Sequence, residues 1–159
     1  MSRPPPLALM AAPADAAVGF AVRLGRGPGQ IATARVVTRR ALEVTGHAGD
    51  PEFLDDVLLI VSELVTNALR HTGERPLLVL RAQDGRVRVD VRDGDPRLPV
   101  RRLPEPGEPG GRGLRLVSAL ADRYGAHPLP DGGKTVWAVV GHRRPERRAR
   151  RPQALDREP

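Results

Sequence analysis

Length, composition and charge limit what this chain can be. Its 159 residues are enough for one domain with a hydrophobic core. The absence of cysteine excludes disulfides, thiolate metal sites and a cysteine nucleophile. Only 3% of the residues are aromatic, so the core must consist mainly of aliphatic side chains. The net charge of +7 admits nucleic acid or another anionic partner, but six of the arginines lie within residues 143–151.

The two ends of the chain differ in composition from its middle. Residues 1–16 are rich in proline and alanine, and prolines 4–6 stand where the helix of a signal peptide would begin. We therefore expect a disordered leader and a cytoplasmic protein. Residues 142–159 are basic and contain several prolines and glutamates, which predicts a disordered tail. Residues 17–141 are predicted to form the folded domain, and no apolar run approaches the length of a membrane span.

Hydrophobic periodicity and turn residues predict the elements of this domain in chain order. The expected elements are a strand at 17–24, helices at 30–44 and 51–71, strands at 76–82 and 86–92, a long loop at 93–111, a helix at 112–124, and strands at 126–129 and 134–140. The order predicts an α+β two-layer sandwich. Its sheet is expected to be mixed but mostly antiparallel, with about three helices on one face.

The stretch 55–72 is the most informative part of the sequence. Its apolar residues recur at steps of three and four, which is typical of a helix with a wide buried face. Glu63 and Asn67 are one turn apart and so share a face of this helix. The Glu63 carboxylate can take a proton, and the Asn67 amide oxygen can bind a hard cation such as Mg²⁺. An ordinary core helix with both side chains in water is the alternative.

Two further features follow this helix in the sequence. Asp93 ends a predicted strand, where its carboxylate can accept a hydrogen bond from an exocyclic amine. Glycines 110, 111 and 113 surround the start of a predicted helix, where free N–H groups and the helix dipole attract phosphate. Each feature also has an ordinary explanation, since acidic turns often end strands and a single Gly-x-Gly is common.

The motifs ELVTNALRH, GRGLRLVSALADRYG and GKTVWA together resemble the anti-sigma factor serine/threonine kinases. These form a branch of the GHKL-type (Bergerat) ATP-binding fold, which also includes histidine kinases and gyrase. The resemblance covers residues 17–141 in order and spacing. It departs at residues 93–97, which read Asp-Gly-Asp-Pro-Arg where the family has Asp-x-Gly-x-Gly. Histidine kinases fit less well, because they carry a helical hairpin with a phospho-acceptor histidine ahead of this domain.

The resemblance implies ATP and Mg²⁺ as ligands and assigns roles to particular residues. Glu63 is the implied catalytic base, Asn67 the implied ligand of Mg²⁺, and Asp93 the residue that reads the adenine amine. The residues that the resemblance implies for nucleotide binding are Asn67, Asp93, Gly111, Arg112, Gly113, Leu114 and Thr135.

The implied activity is phosphorylation of a serine on an anti-sigma factor antagonist, with a sigma factor as a further partner. The resemblance leaves homodimer formation open. The altered glycines after Asp93 favour an alternative, a nucleotide-binding regulator that sequesters a partner without transferring phosphate. A nucleic-acid binder is a third hypothesis, based on the basic charge, and it predicts steeply salt-dependent DNA affinity. With this resemblance we expect no direct nucleic-acid binding, and because the sequence has no long apolar run we expect no membrane partner.

Overall fold

The computed structural model describes residues 8–10, 18–27, 29–71, 74–99 and 112–142. Within these ranges the chain forms three helices and six strands. They are β1 (Ala8–Met10), β2 (Val18–Arg23), α1 (Gln30–Val44), α2 (Pro51–His71), β3 (Leu77–Gln83), β4 (Arg86–Asp93), α3 (Arg112–Leu120), β5 (Arg123–Pro128) and β6 (Lys134–Gly141). None of the described helices is long and apolar enough to cross a membrane.

The strands form one sheet in the order β1-β2-β3-β4-β6-β5. Every pairing between described strands is antiparallel. The turn between β3 and β4 has positive φ at Asp84 and Gly85, the conformation that matches the twist of a tight antiparallel hairpin. The predicted α+β sandwich is therefore confirmed, and its described sheet is antiparallel throughout rather than mixed.

Helix α2 lies at the centre of the core. It contacts α1, α3, β4 and β6, and Val57, Val61 and Val65 on its buried face are inaccessible to solvent. On the strands, alternate residues such as Val87, Val89 and Val91 join the same cluster. The wide apolar face predicted for α2 thus lets this helix pack against two helices and against the middle strands of the sheet at the same time.

The opposite face of the sheet carries charged and aromatic side chains. The buried Asp90 accepts hydrogen bonds from Arg81 at 2.7 Å and from Arg88 at 3.0 Å. The Arg88 guanidinium lies over the ring of Trp137, 4.5 Å from its centroid. Trp137 stands directly opposite Asp90 in the register of β4 and β6. Side chains that alternate with the core residues of these strands therefore lie on this second face.

The starts of α1 and α2 agree with the sequence prediction. The Asp50 carboxylate accepts hydrogen bonds from the backbone N–H groups of Glu52 and Phe53 at 3.0 and 3.2 Å, which caps α2 ahead of Pro51. Helix α1 spans the predicted range. Within this helix the Val36 side chain is exposed and the Thr38 side chain is buried.

The sequence prediction was wrong at the end of α3. We expected a helix through Tyr124 that Gly125 would end, but α3 ends at Leu120 and β5 begins at Arg123. Tyr124 pairs with Ala138 of β6, and its side chain is buried. Pairing with β6 and burial of an aromatic side chain favour the strand over another helical turn.

The leader and the tail are described only in part. The leader was expected to be disordered, but Ala8–Met10 forms strand β1 and pairs with residues 19–21 of β2. His142, the first residue of the predicted tail, donates its backbone N–H to the Gly85 carbonyl, and its ring stacks on Phe53. Residues 1–7, 11–17 and 143–159 lie outside the described residues, as does 100–111 of the predicted long loop.

Two neighbouring glycines before β6 allow a test of how this turn is held. Gly132 and Gly133 both have positive φ, but only a β-carbon at Gly133 would overlap another group, the Asp93 carbonyl oxygen. Alanine at either position carries backbone strain of roughly 1–2 kcal/mol. We expect Gly133→Ala to lower the free energy of unfolding by at least about 1 kcal/mol more than Gly132→Ala, measured by urea titration. Equal losses would show that the contact with Asp93 does not constrain the turn.

Candidate functional site

The residues singled out in the sequence fall into two clusters beside α2. One lies where α2 contacts the start of α3, and it contains Glu63 and Gly113. The other lies where the end of β4 meets the start of β6, and it contains Asp93. Because α2 packs against α3, β4 and β6, this helix positions one cluster directly and supports the strands that carry the other.

Glu63 contacts the backbone at the start of α3. Its side chain is half-buried, and a β-carbon at Gly113 would overlap its Oε2 atom. A residue larger than glycine at position 113 would therefore displace this carboxylate. The first turn of a helix has free N–H groups and a partial positive charge, which favours a negative group at this place. Asn67 lies one turn further along α2 and is also half-buried. The predicted stacking of Glu63 and Asn67 on one face follows from this continuous helix.

Asp93 presents one satisfied and one unsatisfied carboxylate oxygen. Its Oδ1 atom accepts hydrogen bonds from Lys134 Nζ at 2.8 Å and from the backbone N–H of Asp95 at 2.9 Å. Its Oδ2 atom is buried, and no hydrogen-bond donor within the described residues reaches it. A buried acceptor left without a donor costs about 1–3 kcal/mol, and such atoms in native proteins usually have a functional reason. Asp93 therefore offers a single fixed acceptor to a ligand that carries a donor.

Lys134 is the residue of this site that sequence reasoning missed. Its side chain is 2% exposed, and Nζ also donates to the Asp95 carbonyl oxygen at 3.0 Å. The Asp95 carboxylate lies 3.8 Å from Nζ. Two signals could have identified it, since Lys134 is the only lysine in the sequence and shares a strand face with the apolar Val136 and Ala138. A charged residue at a core position of a strand requires a partner of opposite charge.

The chain after β4 is held by a second ion pair. The Arg97 side chain donates to both carboxylate oxygens of Asp95, at 2.9 and 3.0 Å, and its backbone N–H donates to Oδ1 at 3.0 Å. The Arg97 guanidinium, then its backbone N–H, hold the pKa of Asp95 well below the usual range, with a smaller contribution from the charge of Lys134. Asp95 in turn raises the pKa of Arg97. These two residues stand where the resembled motif has glycines.

Thr135 is not brought to Asp93. In β6 it pairs with Arg92 on one side and His127 on the other. Lys134 precedes it and bonds Asp93, so alternation along the strand places the Thr135 side chain on the other face of the sheet. The resemblance implied that Thr135 binds nucleotide, but in the structure Lys134, not Thr135, lies beside Asp93.

The remaining predicted residues lie at or before the start of α3. Gly111 is outside the described residues, and Arg112 begins α3, although its side chain is not described. Leu114 is half-buried in the first turn of α3. Of the residues proposed for phosphate binding, the structure therefore defines the surroundings of Gly113 best.

The sequence was also compared with known proteins. The family model of the histidine kinase-like ATPase domain matches residues 26–140. A search of curated proteins found no match. The matched range contains α1, α2, both clusters described above and nearly all of β6.

The Asp95–Arg97 pair makes stability depend on pH in a definite direction. Because the folded state lowers the pKa of Asp95, the ionised carboxylate stabilises the fold at pH values above the usual aspartate pKa, about 4. This stabilisation is lost as the pH falls below that value. We expect Asp95→Asn to lower the free energy of unfolding at pH 6 and to differ progressively less from wild type below pH 4. Urea titrations of both proteins between pH 2.5 and 7 measure this. A difference independent of pH would contradict the assignment.

Proposed function

The chain belongs to the histidine kinase-like ATPase domain family, and on this basis we propose that it is an ATP-dependent protein serine/threonine kinase of the anti-sigma factor type. The observation that supports this activity most is the contact between the Glu63 carboxylate and the Gly113 backbone. It puts a possible proton acceptor at the helix start that is suited to hold phosphate.

The residues present fit ATP and Mg²⁺. Asp93 Oδ2 is a buried acceptor in need of a donor, and the 6-amino group of adenine is a donor. The Asn67 amide oxygen is a suitable ligand for Mg²⁺, which neutralises phosphate charge when it is bound. At Gly113 the lack of a side chain lets the Glu63 carboxylate approach the backbone at the start of α3.

In the proposed reaction the phosphoryl acceptor is a serine hydroxyl of a protein antagonist. Glu63 takes the hydroxyl proton while the serine oxygen forms a bond to the γ-phosphorus. The bond from that phosphorus to the oxygen it shares with the β-phosphate breaks, so the products are phosphoserine and ADP. Catalysis in such a site consists mainly of positioning and charge neutralisation, which the α2 and α3 residues supply.

We propose two partners for this activity, an anti-sigma factor antagonist as the substrate and a sigma factor that is bound and released. A homodimer and a cytoplasmic location are part of the same proposal. The resemblance to the kinases with this pattern of motifs supports the two partners and allows a homodimer.

A second candidate function is partner sequestration that depends on nucleotide but transfers no phosphate. The observation in its favour is the Asp95–Arg97 ion pair, which holds the chain just after Asp93 in a fixed conformation. Glycines at these positions, as in the resembled motif, leave the backbone freer to move over a nucleotide.

Two substitutions on α2 separate nucleotide binding from phosphoryl transfer. Glu63→Gln removes the proton acceptor, and we expect transfer to fall by at least about 100-fold while the Kd for ATP changes little. Asn67→Ala removes the cation ligand, and we expect ATP to bind about tenfold or more weakly in the presence of Mg²⁺. The measurements are nucleotide titration and transfer of label from γ-labelled ATP to a purified candidate antagonist.

The outcomes distinguish the two functions. The kinase is supported if wild-type protein labels a serine of the antagonist and Glu63→Gln abolishes this labelling. ATP binding without label on any candidate, together with nucleotide-dependent capture of a sigma factor, supports sequestration. Wild-type protein that binds no ATP excludes both.

The Glu63–Gly113 contact gives an independent test of the kinase. A β-carbon at position 113 would displace the Glu63 carboxylate, so we expect Gly113→Ala to slow transfer by about tenfold to 100-fold. Helix stability should not suffer, because alanine is favoured over glycine within a helix. Gly49→Ala is the matched control, since a β-carbon there meets nothing within 4 Å. Unchanged transfer in Gly113→Ala would show that the position of Glu63 is unimportant for the reaction.

A further inference from the structure

Lys134 and Asp93 form a buried ion pair at the end of the sheet. The two side chains are 2% and 1% exposed, and the Nζ–Oδ1 distance is 2.8 Å. Burial of two charges is unfavourable unless each is closely paired and hydrogen-bonded. Here Nζ has a second acceptor in the Asp95 carbonyl, whereas Asp93 Oδ2 has no donor within the described residues.

The hydrogen bonds around Asp93 fix which oxygen a ligand meets. Both described donors, Lys134 Nζ and the Asp95 backbone N–H, bind the same atom, Oδ1. The carboxylate therefore cannot turn without losing two hydrogen bonds. Oδ2 is left as an acceptor in a fixed position.

The charged groups around Asp93 decide whether Oδ2 stays an acceptor. Lys134 approaches from β6, and the Asp95 carboxylate lies near the same ammonium while it also pairs with Arg97. The Glu74 carboxylate lies against Gly94, the residue after Asp93. A buried carboxylate with other carboxylates nearby tends to take up a proton unless a cation lies beside it. Among the residues that the structure describes, Lys134 is the cation that contacts Asp93 directly.

We propose that Lys134 is a positioning residue that holds Asp93 as an ionised, acceptor-only group and thereby makes the site select 6-amino purines over 6-oxo purines. An ionised carboxylate accepts from the adenine amine but repels the oxygen of hypoxanthine or guanine, which is itself an acceptor. A protonated carboxyl group can instead donate to that oxygen. The inference rests on the ATP site of the proposed function but not on phosphoryl transfer.

The test compares ATP with ITP, which carries an oxygen in place of the 6-amino group and a proton on N1. We expect the wild-type chain with Mg²⁺ to bind ATP at least about 100-fold more tightly than ITP, because a buried group built for one donor rejects the analogue that lacks it. Lys134→Met should reduce this ratio at least tenfold.

Three further proteins complete the experiment. Arg92→Met is the matched control, because it removes a cation from the same end of the sheet on the other face, and its ATP/ITP ratio should equal that of wild type. If Lys134 acts through Asp93, the double variant with Lys134→Met and Asp93→Asn should have the same ATP/ITP affinity ratio as the Asp93→Asn single variant. Lys134→Gln keeps a hydrogen-bond donor but loses the charge, so it should also lose selectivity for ATP over ITP. It takes the place of Lys134→Met if the Lys134→Met protein does not fold.

Equal losses of ATP and ITP affinity in the Lys134 variants, or a further change in the double variant, would overturn the inference and leave Lys134 a merely structural residue. If the wild-type protein prefers ATP and the ATP/ITP affinity ratio is unchanged in Lys134→Met and Lys134→Gln, the inference is wrong but the proposed function still stands. Wild-type protein that binds neither nucleotide overturns the proposed function as well.

Discussion

The ion pair between Lys134 and Asp93 is the interaction on which the arrangement of the site depends. It joins the last residue of β4 to the first residue of β6, directly across the register of the sheet. Gly133 supports the same junction, because only a residue without a side chain lets the preceding turn approach the Asp93 backbone. The ends of these two strands and the carboxylate between them are consequently held as one unit, on the face of the sheet that α2 covers.

The two clusters of the site stabilise a carboxylate near the hydrophobic core in different ways. Asp93 is buried and needs a direct cation, together with backbone donors. Glu63 is only half-buried and lies against the start of a helix, where partial charges and solvent suffice. The first arrangement suits recognition, since it fixes an acceptor. The second suits proton transfer, since a half-exposed carboxylate can gain and lose a proton without a large rearrangement.

Much of the fold could be predicted because its local signals agree with the tertiary structure. Helix α1 has the predicted bounds, and the turn of the β3–β4 hairpin lies at Asp84 and Gly85, between the two predicted strands. The end of α3 was wrong because pairing with β6, which lies later in the chain, decides the conformation of Arg123 and Tyr124. Strand β1 depends in the same way on its pairing with β2. Within the site, Glu63, Asn67 and Gly113 could be found from spacing, whereas the choice between Lys134 and Thr135 required the strand register.

The burial of Lys134 and Asp93 also bears on how substitutions at the two positions combine. Replacing Lys134 alone leaves the buried Asp93 carboxylate without its cation, and breaking a buried pair in this way costs about 3–5 kcal/mol. That loss is a large part of the total stability of a typical domain. The effects of substitutions at positions 93 and 134 on stability should therefore be non-additive, so that replacing both residues costs less than the sum of the two single replacements.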